Sequence, residues 1–68
     1  MQTSQSFASR HYTGVALADY DFLRSTYEVL LRAPVPNYSA IDAAFESLEC
    51  AHQRLRDAHR QLRASILN

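Results

Sequence analysis

The sequence predicts an all-α fold, an antiparallel helical hairpin with a short first helix and a long second helix. Three features point to it. Residues 41–66 carry an unbroken heptad pattern, residues 16–30 carry a shorter apolar stripe, and the segment APVPNY (33–38) separates the two. A link this short favours an antiparallel arrangement of the helices it joins. We expect two hairpins to associate into a four-helix bundle.

Composition further limits the classes of protein to which the chain can belong. The chain has 68 residues, and seven Arg with no Lys balance seven Asp plus Glu. The length allows one domain, and a single Cys (Cys50) excludes a disulfide framework. No apolar run approaches the roughly 20 residues that span a bilayer. The first ten residues are polar, without the apolar stretch of a secretory leader. We therefore expect a cytoplasmic protein with no membrane association.

The first helix is predicted from about Val15 to Arg32. Thr13 is the expected N-cap, because its hydroxyl can accept a hydrogen bond from an N–H of the first turn. Pro34 disfavours helical geometry at Ala33 and marks the end. One apolar stripe follows, with spacings of four and three: Ala16, Tyr20, Leu23, Tyr27 and Leu30.

Residues 1–12 are rich in Ser and Gln and show no sustained period. They are predicted to form a mobile polar arm, which leaves residues 13–68 as the helical hairpin domain.

The second helix is predicted to begin after Ser39 as N-cap. Its heptad seam alternates spacings of four and three: Ile41, Phe45, Leu48, His52, Leu55, His59, Leu62 and Ile66. Beside this seam runs a row of small residues, Ala44, Ala51 and Ala58, that allows another helix to approach closely.

The predicted lengths do not match, at ~27 Å for the first helix and ~40 Å for the second. The first helix would leave the seam uncovered from about Leu55 to Ile66. A second copy of the chain is the expected cover, which predicts a homodimer with two-fold symmetry. The predicted dimer interface consists of Phe45, Leu48, His52, Leu55, His59 and Leu62.

His52 and His59 are the polar members of this seam. Buried polar seam residues can set the register of a coiled coil. A pH-sensitive interface is a second interpretation, since His titrates near neutral pH. A metal site fits poorly, because two helical turns separate the two side chains by ~10.5 Å. We predict no metal and no cofactor.

A protein partner is expected on a separate set of residues. Phe22 and Val29 lie one heptad apart and flank the first stripe, and Arg combines charge, planarity and stacking at interfaces. The predicted partner-binding residues are Tyr20, Phe22, Tyr27, Val29, Arg56, Arg60 and Arg63.

Catalysis and nucleic-acid binding are both disfavoured. The sequence has no glycine-rich phosphate loop and no Cys/His pair at a useful spacing, so we predict that the chain is not an enzyme. Zero net charge and the absence of Lys weaken any attraction to phosphate backbones. A small DNA-binding accessory protein remains an alternative.

Residues 19–64 also carry a resemblance to a known group of proteins. Its elements are Leu23-Arg24, Thr26 and Glu28 in the first helix and Leu48-Glu49-Cys50-Ala51, Leu55, Asp57-Ala58 and Gln61 in the second. This arrangement resembles small phage-encoded anti-activators, which are helical-hairpin dimers that block host quorum-sensing regulators. The resemblance implies direct inhibition of a LuxR-type transcription activator, and some such proteins also target a pilus-assembly ATPase. A chaperone of the type III secretion kind, or another helical-hairpin adaptor, is an alternative.

Overall fold

The computed structural model describes the backbone of residues 2–67 and the side chains of residues 10–67. Two helices make up the fold, α1 (Gln2–Arg32) and α2 (Tyr38–Leu67), and the described backbone contains no strand. The predicted all-α helical hairpin is confirmed.

Contacts between the helices fix their direction. Going along α1, the partner on α2 moves steadily backwards: Thr13 meets Ala58, Asp19 meets Arg54, Tyr20 meets His52 and Tyr27 meets Phe45. The helices are therefore antiparallel. The hairpin is long and thin, with principal-axis extents of 53 × 13 × 12 Å.

The two helices are nearly equal in length, with 31 residues in α1 and 30 in α2. The predicted start at about Val15 and the short first helix are wrong, since residues 2–12, predicted as a polar arm, are helical. Met1 lies outside the described residues. No Pro interrupts this stretch, and Gly14 costs a helix only about 1 kcal/mol relative to Ala.

Packing explains why the helix continues through Gly14. Ala16 is buried, and the Thr13 hydroxyl donates a long hydrogen bond of 3.4 Å to the carbonyl oxygen of Ala58. These contacts hold α1 against the second half of α2, the part that the sequence predicts to be uncovered.

Of the two helix ends that flank the connection, the end of α1 agrees with the prediction and the start of α2 does not. α1 ends at Arg32, as Pro34 predicts. At the start of α2 the Asn37 side-chain oxygen accepts the Ala40 N–H at 3.1 Å. Asn37 is therefore the N-cap, and the prediction of Ser39 is wrong. Asn caps as well as Ser, and the earlier start adds two residues to the helix.

Two helices alone build a very small core. Among the residues with described side chains, only Ala16, Ala51 and Ala58 are buried hydrophobic residues, so nothing larger than Ala is fully enclosed. The larger apolar side chains along the contact are half-buried. Neither helix, within the described residues, is long and apolar enough to cross a membrane.

Candidate protein-binding surfaces

The Ala–Leu row is the part of α2 that faces α1. Its members are buried or half-buried and repeat at spacings of four and three: Ala44, Leu48, Ala51, Leu55, Ala58 and Leu62. Ala51 and Ala58 are each only 1% exposed. Small side chains at every seventh position let the backbones approach closely, while the Leu side chains pack beside them. The small-residue row seen in the sequence is thus the hairpin interface.

This arrangement divides the predicted dimer interface. Leu48, Leu55 and Leu62 are half-buried within the hairpin. Phe45, His52 and His59 turn to its edge, where all three are exposed. The sequence pattern is compatible with either seam, because the Leu residues lie four residues from the His row and three from the Ala row. The use of these residues in a dimer stays a prediction.

The aromatic face is formed where this edge of α2 meets α1. We define it by Tyr20, Tyr27, Phe45, His52 and His59. The Tyr20 and His52 rings are tilted, with centroids 5.5 Å apart, and the Tyr27 and Phe45 rings lie 5.8 Å apart. Both Tyr rings are half-buried, whereas the α2 rings are exposed.

Two Arg residues extend the aromatic face along α2. Arg56 follows His52 by four residues and Arg63 follows His59 by four, and side chains at this spacing share one side of a helix. Both Arg residues are exposed. The aromatic face therefore combines flat rings with guanidinium groups.

The opposite face of the hairpin carries a different surface on α1. Asp19 and Tyr20 are consecutive, so they point about 100° apart around the helix. They reach α2 from opposite sides, since Asp19 pairs with Arg54 at 2.9 Å while Tyr20 meets His52. On the Asp19 side lies the outer row of α1, which consists of Tyr12, Val15, Asp19, Phe22, Thr26 and Val29. Phe22 is 70% exposed and Val29 is 65% exposed.

The predicted partner-binding residues are not brought together in one site. Tyr20, Tyr27, Arg56 and Arg63 belong to the aromatic face, but Phe22 and Val29 belong to the outer row. Arg60 lies on the solvent side of α2, 3.8 Å from Asp57.

Tyr12 and Val15 are surface residues that the predicted partner-binding set leaves out, and both are about half exposed. The sequence indicates that they share one side of a helix, because the spacings from Tyr12 to Val29 are three, four, three, four and three. A non-helical segment through Tyr12, as the sequence predicts, interrupts this pattern.

Two shallow grooves lie along the outer row. One, of about 160 Å³, is lined by Tyr12, Val15, Ala16, Asp19 and Arg54. The other, of about 280 Å³, is lined by Phe22, Ser25, Thr26, Val29 and Leu30. Open grooves of this kind suit protruding side chains of another protein better than they suit an enclosed small molecule.

The ion pairs between the described side chains all lie at the surface. Arg24 and Arg32 both approach Glu28 within α1, at 3.1 and 3.7 Å. Among residues whose side chains are described, no group of three His, Cys, Asp or Glu side chains converges on a point. Cys50 is exposed and forms no disulfide.

Comparison with protein-family models, with curated proteins and with solved structures found no match to this chain. The surfaces themselves carry the functional inference that follows.

Proposed function

We propose that the chain is a non-enzymatic protein-binding module that acts as a homodimer and sequesters a client protein on its aromatic face. The observation that carries this proposal is the imbalance between core and surface. No side chain larger than Ala is buried among residues 10–67, whereas Phe22, Val29, Phe45 and Ile66 are exposed. A small domain without disulfides or metals gains stability by covering such surface with another chain.

The aromatic face has the chemistry of a protein interface. Tyr and Arg are enriched where proteins meet, because each offers a large contact area together with hydrogen-bond donors. Arg56 and Arg63 favour a client whose contact surface is acidic at its rim and apolar at its centre. The half-buried Tyr20 and Tyr27 are already held by ring contacts to α2, so little side-chain freedom is lost on binding.

The resemblance to phage anti-activators suggests the first client class to test, the LuxR-type transcription activators. A purified activator bound to fluorescently labelled operator DNA provides the assay. If the chain sequesters the activator, adding it lowers the fluorescence anisotropy as free DNA is released.

A matched pair of variants links this activity to the aromatic face. Phe45→Ser removes an exposed ring of the aromatic face, and Glu46→Ser changes an exposed residue on the solvent side of α2, in line with Arg60 two heptads later. We expect Phe45→Ser to need about tenfold more protein for the same release, since truncating an interface anchor costs more than about 1 kcal/mol. Glu46→Ser should act like the unmodified chain. Direct binding of the chain to the DNA would contradict the proposal and favour the DNA-binding alternative.

A further inference from the structure

The outer row of α1 is a second heptad seam on a helix that already uses one against α2. Tyr12, Val15, Asp19, Phe22, Thr26 and Val29 repeat at alternating spacings of three and four over 18 residues. Such a repeat keeps side chains on one side of a helix over about five turns. Because this row lies beside the hairpin contact, its apolar members remain exposed.

The two grooves along this row have the shape that a neighbouring helix requires. In coiled coils, a side chain of one helix enters a hole formed by four residues of the other. Four residues of the larger groove, Phe22, Ser25, Thr26 and Val29, stand at positions i, i+3, i+4 and i+7. The smaller groove repeats this spacing from Tyr12 to Asp19.

Both polar members of the outer row already have partners within the chain. Asp19 accepts a hydrogen bond from Arg54 at 2.9 Å. The Thr26 hydroxyl donates to the carbonyl oxygen of Phe22, one turn earlier, at 3.1 Å. Another helix can therefore cover both groups without leaving either of them without a hydrogen-bond partner.

The exposed area is of the size that a second copy would cover. The chain exposes 5466 Å². A compact monomer of 7.7 kDa exposes only about 4,300 Å² by the usual scaling with mass. The excess of roughly 1,100 Å² is close to the ~800 Å² that each partner contributes to a stable interface. One copy of this same surface is enough to cover it.

The outer row also matches itself when one copy is reversed. In an antiparallel pair, Tyr12 of one helix lies beside Val29 of the other, Val15 beside Thr26, and Asp19 beside Phe22. Each pair places one heptad row against the other, as antiparallel coiled coils do. A two-fold axis relates these three residue pairs to three equivalent pairs in which the two chains exchange roles. The interface is therefore complete with two chains.

We propose that the outer row of α1 is the self-association surface, where two chains pack α1 against α1 in antiparallel orientation. This inference rests on the homodimer in the proposed function, and it places the interface on α1 instead of on the α2 residues that the sequence predicts. It leaves the aromatic face free for the client.

Sedimentation velocity over a concentration series tests the surface with a matched pair. Val29→Glu places a charge in the outer row, whereas Leu31→Glu changes an equally apolar, exposed residue on the other side of α1. We expect Val29→Glu to raise the dimer dissociation constant about 100-fold or more, because its charge is buried without a partner. Leu31→Glu should leave the constant unchanged, and circular dichroism checks that both remain helical.

Cross-linking tests the direction of packing in a Cys50→Ser background. A mixture of Val15→Cys and Thr26→Cys chains should form a disulfide-linked dimer, whereas neither variant should do so alone. Self-linking of Val15→Cys would overturn the antiparallel arrangement. If Val29→Glu loses its helicity, this cross-link decides the question by itself.

The remaining outcomes separate this inference from the proposed function. A monomeric wild-type chain, or equal effects of Val29→Glu and Leu31→Glu, would overturn the α1 interface. Loss of the dimer on His59→Glu but not on Val29→Glu would place the second copy on α2. Release of operator DNA by the Val29→Glu monomer would keep client binding while showing that it does not need the dimer.

Discussion

Arg54 of α2 hydrogen-bonds Asp19 of α1 at 2.9 Å, on the face of the hairpin opposite to the contact between Tyr20 and His52. Two consecutive α1 residues thus hold α2 from both sides, with the buried Ala51 close by in sequence. Rotation of either helix about its axis would break one contact or the other. This pair of contacts therefore fixes which apolar rows face inward and which remain exposed.

The Asp19–Arg54 pair should contribute modestly to stability. Both side chains are about half exposed, and exposed ion pairs contribute about 0.2–1 kcal/mol. A double-mutant cycle with Asp19→Asn and Arg54→Gln, measured by urea unfolding in the Val29→Glu background that we expect to be monomeric, should give a coupling energy in that range. The coupling should shrink at high salt. A coupling above about 2 kcal/mol in this background would contradict the prediction, whereas a larger coupling in the dimeric chain would fit a pair that the second copy shields from water.

Ala51 should tolerate no larger side chain. It is 1% exposed where the helices meet, so Ala51→Leu forces the helices apart and should cost about 1–3 kcal/mol in the free energy of unfolding. Ala43→Leu adds the same atoms at an exposed position of α2 and should cost less than about 0.5 kcal/mol. Urea unfolding followed by circular dichroism compares the two. Equal effects would show that the Ala–Leu row does not form the contact.

The fold class could be read from the sequence because Pro34 and the heptad spacings are local signals. The start of α1 could not be read in this way, because no single residue between 2 and 14 determines where the helix begins. That helix continues because Thr13 and Ala16 find a surface on α2, which is tertiary packing rather than propensity.

The choice between two seams on α2 was equally beyond the sequence. The Leu residues can be combined with either the His row or the Ala row at proper heptad spacing. The Ala residues lie at the contact with α1 because their small side chains let the two backbones approach. Phe45 and His52 are too large for that position and lie at the edge of the contact. The heptad spacing therefore does not predict that Leu48, Leu55 and Leu62 lie inside the hairpin while Phe45, His52 and His59 lie at its edge.

Asn37 should be the residue that stabilises the start of α2. Asn37→Ala removes the side-chain oxygen that accepts the Ala40 N–H and should lower the free energy of unfolding by about 1 kcal/mol. Ser39→Ala lies inside the helix and should be neutral or slightly stabilising, since Ala has the higher helix propensity. Thermal unfolding of the two variants decides between the caps. A larger loss for Ser39→Ala would place the cap where the sequence suggested.

Substitutions at Leu55 and His59 test whether these α2 residues stabilise the hairpin itself or only the association of two chains. Leu55 is half-buried against α1, and His59 is exposed one turn later. Leu55→Asp puts an unpaired charge into the contact within the chain, so we expect loss of helicity as well as of the dimer. His59→Asp should keep its helical signal and, with the second copy on α1, its sedimentation coefficient. A helical, monomeric Leu55→Asp chain would mean that Leu55 serves association between chains more than the hairpin itself.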